Sequence, residues 1–117
     1  MLKTLLILLI ITTIFTFACE NNPSESLSNH KPEISEISIS PLPAEVDEWI
    51  YLTTVATDKD GDNLTYFWSC SAGEFFPGDT NKNPARWKVK AAGIYTITCT
   101  VSDGKDTSNK SISVDAK

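Results

Sequence analysis

The sequence predicts an all-β sandwich. Short segments alternate apolar and polar residues with period two, and Gly, Pro, Asp and Asn clusters interrupt them about every ten residues. No segment shows the 3.6-residue period of an amphipathic helix. Seven strands are expected, at 34–40, 49–57, 64–70, 74–76, 86–89, 95–102 and 108–114. That leaves room for one sandwich and for no second domain or internal repeat.

The sorting of faces follows from the alternation. On the third strand Leu64, Tyr66, Trp68 and Cys70 share one side, and on the sixth Tyr95, Ile97, Cys99 and Val101 do. These are core faces. Thr96, Thr98 and Thr100, with Ser111 and Ser113 of the last strand, suit a solvated surface. Ala85, Trp87 and Val89, with Ile112 and Val114, complete the inward set. The second strand is ambiguous, because Ile50, Leu52, Thr54 and Ala56 compete with Trp49, Tyr51, Thr53 and Val55 for the interior.

Composition excludes several functions. The 117 residues carry 10 Lys and Arg against 15 Asp and Glu, a net charge of −5, with no basic run. Phosphate neutralisation needs a clustered positive face, so nucleic acid is not an expected partner. The single histidine, His30, cannot build a His-rich metal site, and its place in a polar stretch speaks against a Ser/Cys–His nucleophile pair. Carboxylate pairs such as Asp60 and Asp103 remain, but acid–base pairs work in clefts that a domain this small seldom builds. The chain is therefore expected not to be an enzyme, and to need no cofactor unless calcium binds.

The N-terminus reads as a targeting segment. Lys3 precedes an apolar run over 5–17 broken only by Thr12, Thr13 and Thr16. The run has about 13 residues, where a spanning helix needs roughly 20. Its end, Thr16-Phe17-Ala18-Cys19, resembles the lipobox of bacterial lipoproteins, in which a small residue precedes the cysteine that receives diacylglycerol. That resemblance makes residues 1–18 a signal peptide and Cys19 the lipidated N-terminus. Thr16 and Phe17 stand where the family has Leu and a smaller residue, so simple cleavage after Ala18 is the alternative. Glu20 in place of Asp implies the outer membrane or cell surface of a bacterial envelope. Two or more acyl chains supply stable anchoring, so the membrane is the expected partner through the lipid.

Residues 20–32, ENNPSESLSNHKP, contain Leu27 as their one large apolar side chain and read as a tether. A random coil of this length reaches on the order of 20 Å. His30 is read as solvated. The domain is then 33–117, preceded by the lipidated cysteine and tether at 19–32.

Within 33–117 the order Asp58-x-Asp60-Gly61-Asp62, Trp68, Gly93-x-Tyr95 and Val101-Ser102-Asp103-Gly104 resembles the immunoglobulin-like domains of the polycystic-kidney-disease (PKD) type. The resemblance implies an immunoglobulin-like sandwich with the third and sixth strands antiparallel neighbours, and it favours the Ile50 set as the interior of the second strand. A register pairing 70 with 99 then also pairs 68 with 101 and 66 with 103. In an oxidising compartment this makes Cys70 and Cys99 a candidate disulfide, with two buried free thiols as the alternative.

The same placement gathers Asp58, Asp60, Asp62, Asp103 and Asp106 at one end. Five carboxylates fit a Ca²⁺ site of loop oxygens, or else turn chemistry in which Asp and Gly supply local hydrogen bonds and positive φ. For function, the reading is a non-catalytic, membrane-anchored binding or spacer module whose protein or glycan partner is unknown. Trp49, Tyr51 and Phe67 are candidate stacking residues for a carbohydrate-binding role. A structural assembly subunit that exchanges an edge strand is the third reading, since Lys110 and Pro41 only partly blunt the edges.

Overall fold

The computed structural model describes residues 28–117. The signal peptide expected at 1–18, the lipidation expected at Cys19 and the expected tether up to residue 27 fall outside the described residues. Among those described, seven strands form and no helix does: β1 (Glu33–Ser40), β2 (Ile50–Thr57), β3 (Thr65–Cys70), β4 (Glu74–Phe75), β5 (Ala85–Lys88), β6 (Gly93–Ser102) and β7 (Thr107–Ala116). They make two sheets, ordered β1-β2-β5-β4 and β3-β6-β7, stacked as an immunoglobulin-like sandwich.

The core lies between the layers where alternation places it. Ile50, Leu52, Trp68, Trp87, Ile97, Cys99, Val101 and Val114 are fully buried, with Ala85 and Val89 beside them. β2 turns the Ile50 set inward and leaves Tyr51 and Val55 exposed. Both central tryptophans are buried with their indole N–H satisfied: Trp68 Nε1 donates to the Lys82 carbonyl at 2.8 Å and Trp87 Nε1 to that of Ala72 at 3.1 Å. β1 departs from strict alternation. A bulge between Ile34 and Glu36 switches its inward residues from even to odd, so Ile34, Ile37 and Ile39 all pack on the core.

β3 lies antiparallel beside β6, but two residues away from the expected register. Trp68 faces Cys99, Cys70 faces Ile97 and Tyr66 faces Val101. A shift of two preserves the inward face and changes only the partner. Cys70 and Cys99 therefore stand diagonally, where Cα atoms lie about 7–8 Å apart, beyond the range a disulfide spans. Both are free cysteines. Cys99 is buried and Cys70 partly so, and burial raises both thiol pKa values, that of Cys99 to about 11.

Long side chains hold the connection between β4 and β5 in place. Asp79, buried, receives Arg86 Nε at 2.7 Å and Nη2 at 3.3 Å, as well as the Arg86 backbone N–H. Those bonds hold its carboxyl below the usual range. Asn83 pairs with both backbone groups of Thr54, at 3.0 and 2.8 Å, standing in for one more residue of a neighbouring strand.

Candidate functional site

The antiparallel sheets bring the loop between β2 and β3 and the turn between β6 and β7 to one end, and all five candidate aspartates sit there. Asp58 organises the first loop: its Oδ1 accepts the backbone N–H of Asp60 at 2.9 Å and of Asp62 at 3.2 Å. Gly61 makes the bend with φ 74°. Asp103 does the same for the second, accepting from Lys105 at 2.8 Å and Asp106 at 2.7 Å. The backbone bond from Asp106, followed by one from the Asn29 amide, lowers the Asp103 pKa to about 2. Turn chemistry thus occupies one oxygen of Asp58 and one of Asp103.

The remaining oxygens have a different use. Asp58, Asp60 and Asp62 each offer a carboxylate oxygen, and these lie within 4.8 Å of one another. Asp58 Oδ2 is buried without a hydrogen-bond partner. Asp103 and Asp106 face Asn29, whose Nδ2 donates to Asp103 Oδ2 at 2.9 Å and to Asp106 Oδ2 at 2.8 Å.

His30, expected in solvent, is half exposed but bonded. Its backbone N–H donates to Asp60 Oδ2 at 2.7 Å, and its Nδ1 lies 2.9 Å from Asp60 Oδ1. The backbone bond from His30, followed by the ring contact, lowers the Asp60 pKa. Pro32 is buried and its carbonyl accepts from Ser108 Oγ. The last residues of the expected tether, 29–32, therefore belong to the folded unit. Sequence reading missed Asn29 and His30 because nothing local distinguishes a docked polar segment from a solvated one.

The proposed stacking residues do not form a platform. Trp49 and Tyr51 lie on the outer face of the four-stranded sheet, whereas Phe67 is on the outer face of the other layer. Trp49 meets Phe76 edge-on at 5.4 Å, and Lys88 Nζ lies 4.4 Å from its ring centroid. Arg86 lies 3.5 Å from the Phe76 ring centroid. Two of the ring faces on that side are thus covered by the chain's own cations. Tyr51 and Phe67, 49% and 57% exposed, stand apart on opposite sheets.

The opposite end of the sandwich holds a shallow cavity of about 350 Å³, lined by Ala72, Gly73, Val89, Ala91 and Tyr95 with Lys88 and Lys90 at its margin. Leu42 and Ile94, 69% and 74% exposed, stand at this end.

No curated protein and no solved structure matches the chain. The family model described as "PKD domain" matches residues 36–116, the greater part of the sequence. With seven strands in two sheets and the aspartate-bearing bends at one pole, the chain belongs to the PKD domain family.

Proposed function

We propose that this protein is a lipid-anchored, non-catalytic component of the bacterial cell envelope whose PKD domain serves as a binding or spacer module. The observation that carries the reading is the way its polar groups are spent. Asp79 is neutralised by Arg86, Asp58 and Asp103 hold their own turns, Asn83 completes a strand edge and both inner thiols point into the core. PKD domains are in general non-catalytic modules, and this arrangement agrees with that. Lipidation rests on Thr16-Phe17-Ala18-Cys19 and accounts for the polar stretch ahead of the domain. Intact-mass measurement of the protein from its native membrane tests it. Acyl mass on a chain beginning at Cys19 is expected, and an unacylated chain would refute the anchor.

A second reading concerns calcium at Asp58, Asp60 and Asp62, and is favoured by the unpartnered buried oxygen of Asp58 beside two further carboxylates. Asp103 and Asp106 lie at the same pole, with Asn29 on the oxygens they turn toward it. Millimolar Ca²⁺ should raise the melting temperature relative to EDTA, and Asp58→Asn should abolish the difference. Identical melts would dispose of this role.

A further inference from the structure

We propose that residues 29–32 are a strap that pins the chain's entry point to the acidic pole, so that this pole faces the membrane and the opposite pole is presented away from it. The orientation rests on the reading that Cys19 carries the lipid; the strap itself does not. The strap ties down at three places, in two separate connections and on one strand. His30 sits on Asp60 in the loop between β2 and β3, Asn29 bridges Asp103 and Asp106 in the turn between β6 and β7, and Pro32 is held by Ser108 at the start of β7. A passive linker would bury no proline and would not set one amide across two carboxylates.

Lengths decide what this does. Cys19 to Asn29 is ten residues, which reach at most about 35 Å when fully extended. The ten residues of β7 run from the acidic pole to the other end, a distance of about 33 Å. Turning the domain over would require the connection to run the full height of the sandwich, consuming nearly all of that reach. Were the strap undocked, the connection would run fourteen residues to Glu33 and reach about 50 Å, enough to allow inversion. The strap thus converts a loose attachment into a directional one. The presented pole carries Leu42, Ile94 and the cavity beside Tyr95.

The test uses the full lipidated protein in phosphatidylcholine/phosphatidylglycerol vesicles carrying an acceptor-labelled headgroup lipid. A donor dye is placed by Lys59→Cys at the acidic pole or Lys90→Cys at the other, each in a Cys70→Ser background; both lysines are exposed, while the native Cys99 is buried and Cys70 only partly so. Transfer from position 59 should exceed that from position 90 by roughly twofold or more, given poles about 33 Å apart. Asn29→Ala with His30→Ala should narrow the gap. Equal or reversed transfer in protein that floats with the vesicles would overturn the orientation. Protein that lacks acyl mass and does not float overturns the anchor, and the orientation with it. Amide exchange at His30, measured on Cys19→Ser, isolates the strap: slowed exchange is expected, and exchange at the free-peptide rate overturns the proposal.

Discussion

Gly73 is the position at which one added methyl group should cost most. It sits in the turn from β3 to β4 with φ 96°, a backbone conformation that L side chains adopt at a cost of about 1–2 kcal/mol. A Cβ there would meet Trp87 Nε1 at 2.6 Å and the Lys88 carbonyl oxygen at 2.7 Å. Neither atom can retreat cheaply, since Trp87 is fully buried and bonded to Ala72, and Lys88 is paired with Glu74 across β4 and β5. Overpacking of this kind adds about 1–3 kcal/mol, so Gly73→Ala should destabilise by about 2–5 kcal/mol in all. Gly61 is the control. Its φ is 74°, but nothing lies within 4 Å of the added atom, so Gly61→Ala should show the backbone cost alone. Urea unfolding followed by circular dichroism on residues 28–117 measures both variants against the parent. For a domain of this size each kcal/mol corresponds to about 4–8 °C in melting temperature. A Gly73→Ala loss no greater than that of Gly61→Ala would refute the claim that Trp87 and the β5 backbone are rigid there.

Acid should weaken the domain through its bonded carboxylates. Asp60, Asp79 and Asp103 all titrate below the ordinary carboxylate range in the folded state, Asp103 at about 2. Their stabilisation is complete above the unfolded pKa of about 3.9 and is lost as pH falls toward the folded values. Asp103→Asn should therefore flatten the fall in melting temperature between about pH 4 and pH 2; an unchanged slope would contradict the bonding described. Arg86→Met strips the buried Asp79 of its partner and should lower the melting temperature more than Arg86→Lys does, with faster amide exchange at Trp68, whose N–H donates to Thr80 in the same connection. Cys99 should be inert to Ellman's reagent at pH 8 in the folded state and Cys70 slow, with both reactive in denaturant, because burial covers the first fully and the second in part and raises both thiol pKa values. A two-dalton mass deficit in the unreduced domain would show that they pair after all.

How much of this was legible depended on whether a signal was periodic or relational. Period-two alternation sorted Trp68, Ile97, Val101 and Val114 into the core, because a residue's face is fixed by its own strand. Register is relational: parity permitted pairing 70 with 99 as readily as 68 with 99, and the fold adopts the latter. The gathering of five aspartates survived that error, since a slip of two residues moves a bend by only about 7 Å along the strand. The bulge in β1, the pairing of Asn83 with Thr54 and the docking of Asn29 and His30 leave no local pattern. Each depends on a residue 18 or more positions away. The cation over Trp49 comes from Lys88, 39 positions away, so of the residues read as a ligand platform Trp49 is covered from within, with no local sign of it.

The bulge-bearing first strand and the long last one both run from the acidic pole to the opposite end, and the described chain enters at Asn29 on one pole and reaches Lys117 at the other. A pulling load between those residues would act along the strand axes. Hydrogen bonds between antiparallel neighbours would then be sheared together and would not open one by one like a zip. Attached at one end and tugged at the other, such a body resists as a stiff rod until several rungs fail at once.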